Sequence, residues 1–136
     1  IMYLIDTNVW LERLLDREKS AEAAKFFEQI PGDLLFMTDF SLHSMGVIFS
    51  KLKQAETLES FIDDVFNYSA ARLIHLTPQD LIQVSKTMNK FGLDFDDAYQ
   101  YVAAEKYDLT IISFDSDFDN TKRKRKTPGE ILSEID

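Results

Sequence analysis

Four short apolar runs, Tyr3 to Asp6, Leu34 to Thr38, Arg72 to Leu76 and Leu109 to Phe114, punctuate this chain, and each ends near a polar or acidic residue. Between and after them lie stretches of helical period, roughly Ser20 to Ile30, Asp39 to Lys53, Glu56 to Ala71, Pro78 to Lys90, Phe95 to Tyr107 and Pro128 to Ile135. Parallel neighbours need a crossover connection, and a strand apolar along its whole length must be covered on both faces. The alternation therefore predicts an α/β fold, three-layered, with a central, mainly parallel sheet of four to five strands. Three prolines, four glycines and no repeat offer no linker, so a single domain over residues 2–136 is expected. Pro31-Gly32 and Phe91-Gly92 read as simple turns. Ile1 precedes Met2, where translation normally begins, and is left outside that expectation.

With 45% hydrophobic residues and 11 phenylalanines in 136, the chain can bury one sizeable core. No apolar run approaches the roughly 18 residues that span a bilayer, and the first residues lack the layout of a signal peptide. The expectation is a soluble cytoplasmic protein with no membrane partner. Cysteine is absent, so any bound metal must be held by oxygen or by His43 and His75, which favours hard cations. The formal charge of -9 works against generalised phosphate binding, because nucleic-acid proteins usually carry net positive charge.

Acidic residues gather where chemistry is placed in open α/β sheets, outside the carboxyl ends of the strands. Asp6 closes the first run, the segment Asp94 to Ala98 opens a helix with Asp94, Asp96 and Asp97, and Asp115 and Asp117 follow the fourth run. Each has a local explanation. Asp6 reads equally well as a helix N-cap, the Asp94 group as carboxylates favoured by about 0.3–1 kcal/mol in a first helical turn, and Asp115 and Asp117 as an Asx turn. Asp94 in particular is expected to be only a cap. Taken together, three placements of carboxylates at strand ends repel one another unless a cation or protons neutralise them, and a divalent metal does so economically.

The opening "LIDTNVWLE", the block "DFDDAYQYVAAEKYDLTIISFDSDF" and the closing "TPGEIL" resemble the PIN domain, the nuclease fold of VapC-type toxins, over nearly the whole chain. The most specific part is "TIISFDSDF" after a helix beginning "DDA". The resemblance implies a parallel sheet with its first strand in the middle. It implies Asp6, Asp97, Asp115 and Asp117 as catalytic, metal-binding carboxylates for Mg²⁺ or Mn²⁺, with Thr7, Asn8, Asp96 and Ser113 lining the same pocket. The implied activity is metal-dependent endoribonuclease cleavage leaving 5′-phosphate and 3′-hydroxyl ends, and the implied partners are RNA, a small antitoxin protein and a second copy of the chain. One departure stands out: PIN nucleases carry a Glu in the helix after the second strand, and Ser44 occupies the aligned position here. Asp39 lies five residues earlier, about 140° around a helix, and is expected to point elsewhere. His43 adjoins the position and is counted as pocket-lining, although a lone His on a mixed helix is also a common packing or surface residue.

The run Lys122, Arg123, Lys124, Arg125 and Lys126 follows the last acids and has two compatible readings, contact with RNA phosphates or an edge segment whose charges deter sheet-to-sheet association. Two rivals to the nuclease remain at this stage. One is a PIN-like module that binds RNA or an antitoxin with its chemistry weakened. The other is a phosphoryl-transfer enzyme using Asp6 as nucleophile, against which Asn8 stands where a second Asp is needed.

Overall fold

In the computed structural model, which describes residues 1–135, the apolar runs form four strands: β1 (Tyr3–Ile5), β2 (Leu35–Thr38), β3 (Arg72–Ile74) and β4 (Thr110–Ile112). All pairings are parallel and the order is β3-β2-β1-β4, so β1 is interior, with Tyr3 opposite both Leu35 and Thr110. Beyond β4, Lys126 makes a single parallel bridge: its N–H donates to Ile111 (2.8 Å) and its carbonyl accepts from the Ser113 N–H (3.0 Å). That bridge is a rudimentary fifth strand on the outer edge.

Side chains along a strand alternate between faces, and the two cores follow that period. Tyr3, Ile5, Leu35, Met37 and Ile112 enter one core, and Leu4, Phe36 and Ile111 the other. The first core is covered by α1 (Thr7–Leu14), α2 (Ser20–Gln29), α3 (Asp39–Lys51), α4 (Ala55–Ile62) and α7 (Pro128–Ile135), through Trp10, Phe26, Phe49, Phe61 and Ile131. The second is covered by α5 (Pro78–Phe91) and α6 (Phe95–Tyr107), through Val84, Ala98, Tyr101 and Val102. Every residue of α6 from Asp97 to Ala104 is buried, as befits a helix apolar nearly all round. Among the described residues no helix is long and apolar enough to cross a membrane.

Three local features differ from the expectation. Helix α1 was not among the predicted helical stretches; its eight residues are too few for the period to declare itself. The stretch Glu56 to Ala71 is not one helix, because α4 gives way to a π-helical segment, Asp63–Tyr68, in which the Ser69 N–H reaches back five residues to the Asp64 carbonyl (3.0 Å). Ser69 also explains the Pro31-Gly32 turn, which is a 3-10 segment, Gly32–Leu34: a Cβ on Gly32 would lie 1.7 Å from the Ser69 carbonyl oxygen, so only glycine fits.

Candidate metal centre

The ends of β1 and β4 lie side by side, and this adjacency brings distant acids together. Asp6 leaves β1 as the N-cap of α1, its Oδ1 accepting from the Thr7 N–H (2.9 Å). The same Oδ1 accepts from Gln100 Nε2 (3.0 Å), and Oδ2 accepts from Ser113 Oγ (2.7 Å). Asn8 braces the second strand end, with Nδ2 donating to Ser113 Oγ (3.2 Å) and Oδ1 accepting from the Phe114 N–H (3.2 Å). Burial pushes the Asp6 carboxyl up, and the hydrogen bonds from Gln100, Ser113 and Thr7 oppose that rise. Capping and site-building are both present at Asp6.

Ser113 ties Asp6 to the acids after β4, because its Oγ also accepts from the Asp115 N–H (2.9 Å). Asp115 Oδ1 accepts from the Asp117 N–H (2.8 Å), opening a 3-10 turn, Ser116–Asn120, that the fully buried Phe118 anchors. The Asx turn that could explain these residues is therefore real, and it aims both carboxylates at Asp97 in the first turn of α6. Carboxylate oxygens of Asp97, Asp115 and Asp117 all lie within 4.8 Å of one another. Burial, followed by the charges of Asp115, Asp6 and Asp96, pushes the Asp97 carboxyl up to about 8. The charge of Asp115 raises the exposed Asp117 as well. A cluster this close must take up protons or a cation. Its all-oxygen donors, one buried, one half-buried and one exposed, fit a hard divalent ion that keeps part of its water shell.

Asp6, Thr7, Asn8, Ser44, Asp96, Asp97 and Asp115 line one cleft of about 270 Å³, so Ser44 does face the acids. Asp94 holds the N-cap position of α6, but its side chain makes no capping hydrogen bond, contrary to expectation. Asp39 points elsewhere, accepting from the Tyr99 hydroxyl (2.7 Å) and its own neighbour's N–H. His43 is placed differently from the expectation: it lines a separate apolar groove between α3 and α4 with Leu42, Val47, Leu58 and Ile62. One residue along a helix is a turn of about 100°, so adjoining Ser44 does not bring His43 into the cleft.

Gln100 and Arg17 belong to the cleft and were not foreseen. Besides holding Asp6, buried Gln100 donates to Ser41 Oγ (2.7 Å) and accepts from Thr38 Oγ1 (2.7 Å), linking the starts of α1 and α3 through α6. Its signal was available, since a lone amide inside a helix buried all round must find partners.

The basic run lines a different cavity, with Tyr101, Glu105, Leu109 and Glu130. Three of its five cations are paired within the chain: Arg123 with Asp108 (2.9 Å), Arg125 with Asp119 (3.1 Å) and Lys126 with Glu134. Arg125 also donates to the Ser113 carbonyl (3.1 Å). With the Lys126 bridge, these contacts match the edge-segment reading.

Comparison with known proteins adds three findings. The family model described as PIN domain matches residues 3–124. Among curated protein sequences, none matches. Solved structures with the same fold include a toxin-antitoxin complex from Klebsiella pneumoniae (TM-score 0.75, 19% identity, 93% of this chain and 97% of that one). They also include the sarcin-ricin loop cleaving toxin VapC20 of Mycobacterium tuberculosis (0.73, 15%, 86% and 92%) and FitAcB from Neisseria gonorrhoeae (0.74, 16%, 94% and 99%).

Proposed function

The chain belongs to the PIN domain family, and from that premise we propose that it is a ribonuclease that hydrolyses RNA phosphodiesters with Mg²⁺ or Mn²⁺, acting as the toxin of a toxin-antitoxin pair. The observation that carries the reading is the convergence of Asp97, Asp115 and Asp117 beside buried Asp6. Asp97, Asp115 and Asp117 would hold the ion, with Asp6 facing it from β1. A divalent ion there supplies an activated water and neutralises charge on the phosphate.

The chain's own groups do the rest. Ser113, Gln100 and the Thr7 N–H hold the Asp6 carboxylate in one orientation, which spares it reorganisation when a phosphate arrives. The Asx turn does the same for Asp115 relative to Asp117. The proposed partners are RNA, a small antitoxin and a second copy of the chain, and the site of action is the cytoplasm. Support for the antitoxin comes from the Klebsiella complex and from the exposed apolar side chains Val47 and Ile62 at the α3–α4 groove.

A second reading is favoured by one residue. Ser44 faces the acids where the family carries Glu, and one carboxylate fewer weakens a hard-cation site. That reading makes the protein a PIN-like module that binds RNA or an antitoxin with little chemistry. Cleavage of single-stranded and structured RNA in Mg²⁺ and Mn²⁺ separates the two. The nuclease reading expects cutting by the wild type, abolished in Asp97→Asn and Asp115→Asn and increased in Ser44→Glu. Cutting that survives both Asn changes, or none by any version, overturns it.

A further inference from the structure

An RNA strand entering the acidic cleft meets Asp6, Asp96, Asp97 and Asp115, in a chain whose formal charge is -9. Phosphate approaching such a surface needs a local cation besides any bound metal. The basic run, expected from sequence to play that part, lines another cavity and is largely spent on internal pairs. Among the described residues, Arg17 is the one cationic side chain that lines the acidic cleft.

Arg17 is presented by a tightly tied turn between α1 and α2. Its N–H donates to the Glu12 carbonyl (3.0 Å) and its carbonyl accepts from the Ser20 N–H (3.0 Å). Two residues on, the Lys19 N–H donates to Glu12 Oε1 (3.0 Å). Asp16, just before it, sits at φ 50°, a left-handed conformation that costs energy in a non-glycine residue. The backbone is thus held while the side chain stays exposed. Although it shares the cleft with four aspartates, Arg17 forms no ion pair among the described residues. An arginine serving as an internal counter-ion would have closed on one of them.

We propose that Arg17 is the phosphate clamp of this cleft, its guanidinium binding the non-bridging oxygens of an RNA phosphate next to the scissile one. The planar fork of Arg matches a phosphate with two parallel N–H donors, a geometry that Lys cannot reproduce. This assignment rests on the ribonuclease reading of the same site, and it transfers the electrostatic contact from residues 122–126 to a single residue on the opposite sequence flank.

The test is the salt dependence of RNA binding, read by fluorescence anisotropy of a labelled single-stranded oligonucleotide in Ca²⁺, with strand integrity checked on a gel. Each single-strand phosphate contact contributes a slope of about 0.7 in log K against log salt. Arg17→Ala is expected to lower the slope by about that amount, Arg17→Lys to keep the slope while weakening binding, and Lys122→Ala with Lys124→Ala to leave the slope as it was. An unchanged unfolding midpoint in Arg17→Ala separates lost contact from lost fold. If Arg17→Ala keeps the wild-type slope, or the double lysine variant lowers it instead, the clamp is overturned while the ribonuclease reading stands. If the wild type binds no RNA at any salt concentration, both fall.

Discussion

Asp115 and Asp117, which follow β4, and the bases of residues 122–126 just after them each concentrate charge of one sign, yet the fold treats them in opposite ways. Asp115 and Asp117 are turned toward Asp97, and the cluster has no cationic partner in the chain within ion-pair distance among the described residues. Arg123, Arg125 and Lys126 are turned toward Asp108, Asp119 and Glu134 and dissipate their charge locally. Repulsion is retained in the first region and removed in the second. Retained repulsion is a cost to the fold that a bound cation converts to affinity, whereas paired surface charge does little for either stability or binding.

The comparison breaks first at Gln100. Gln100→Leu takes one hydrogen bond each from Asp6, Thr38 and Ser41 inside the protein, leaving them still bonded to the Thr7 N–H, the Ser41 N–H and the Thr7 hydroxyl. Each lost bond costs about 0.5–1.5 kcal/mol, more for the one to a carboxylate. Urea unfolding should show a loss of several kcal/mol, and a loss below about 1 kcal/mol would mean that this network does not hold the cleft together. Asp97→Asn should act in the opposite direction. It removes the carboxyl that burial, and then the charges of Asp115, Asp6 and Asp96, push up to about 8, so the metal-free protein near neutral pH should gain at least about 1.4 kcal/mol, the equivalent of one pK unit. A destabilised Asp97→Asn would show that the repulsion is already relieved.

The pH dependence sharpens the same point. In the unfolded chain the Asp97 proton leaves near 3.8, and in the folded metal-free protein near 8. Between these values the folded state binds more protons, so the contribution of Asp97 to stability is complete below 3.8 and is lost as pH rises through about 8. Thermal melts in a chelator should fall over that window, and saturating Mn²⁺ should flatten the fall; a chelated profile that rises with pH would refute the assignment. The smallest effect belongs to the basic run. Lys126→Ala, which loses a half-exposed partner in Glu134, should cost about 1 kcal/mol or less by urea unfolding. A larger loss would make the run part of the site's support.

Much of this was legible in the sequence because strand ends and strand periods are local patterns. The four apolar runs became the four strands, and the acids closing them fell on one rim because β1 and β4 are neighbours. Residues whose placement depends on packing were harder to read. Arg17 lies in a short loop with no periodicity, so nothing in its neighbours marks it as facing the acids across a fold boundary. His43 shows the converse error: proximity in sequence to Ser44 suggested the cleft, and the helical turn sent it to the α3–α4 groove. Gln100 sits among aromatic neighbours that read as core, and its lone amide is the one sign there that a polar network must meet it.

The most direct test of the account is a calorimetric titration of the metal-stripped protein with Mn²⁺, run in parallel on the wild type and Asp115→Asn. The account predicts saturable binding by the wild type that weakens by more than about tenfold in the variant, since even partners behind a ligand are worth 10–100-fold in affinity. Equal affinity in the two proteins, or no binding by the wild type, would contradict the claim that Asp97, Asp115 and Asp117 form a divalent-cation site.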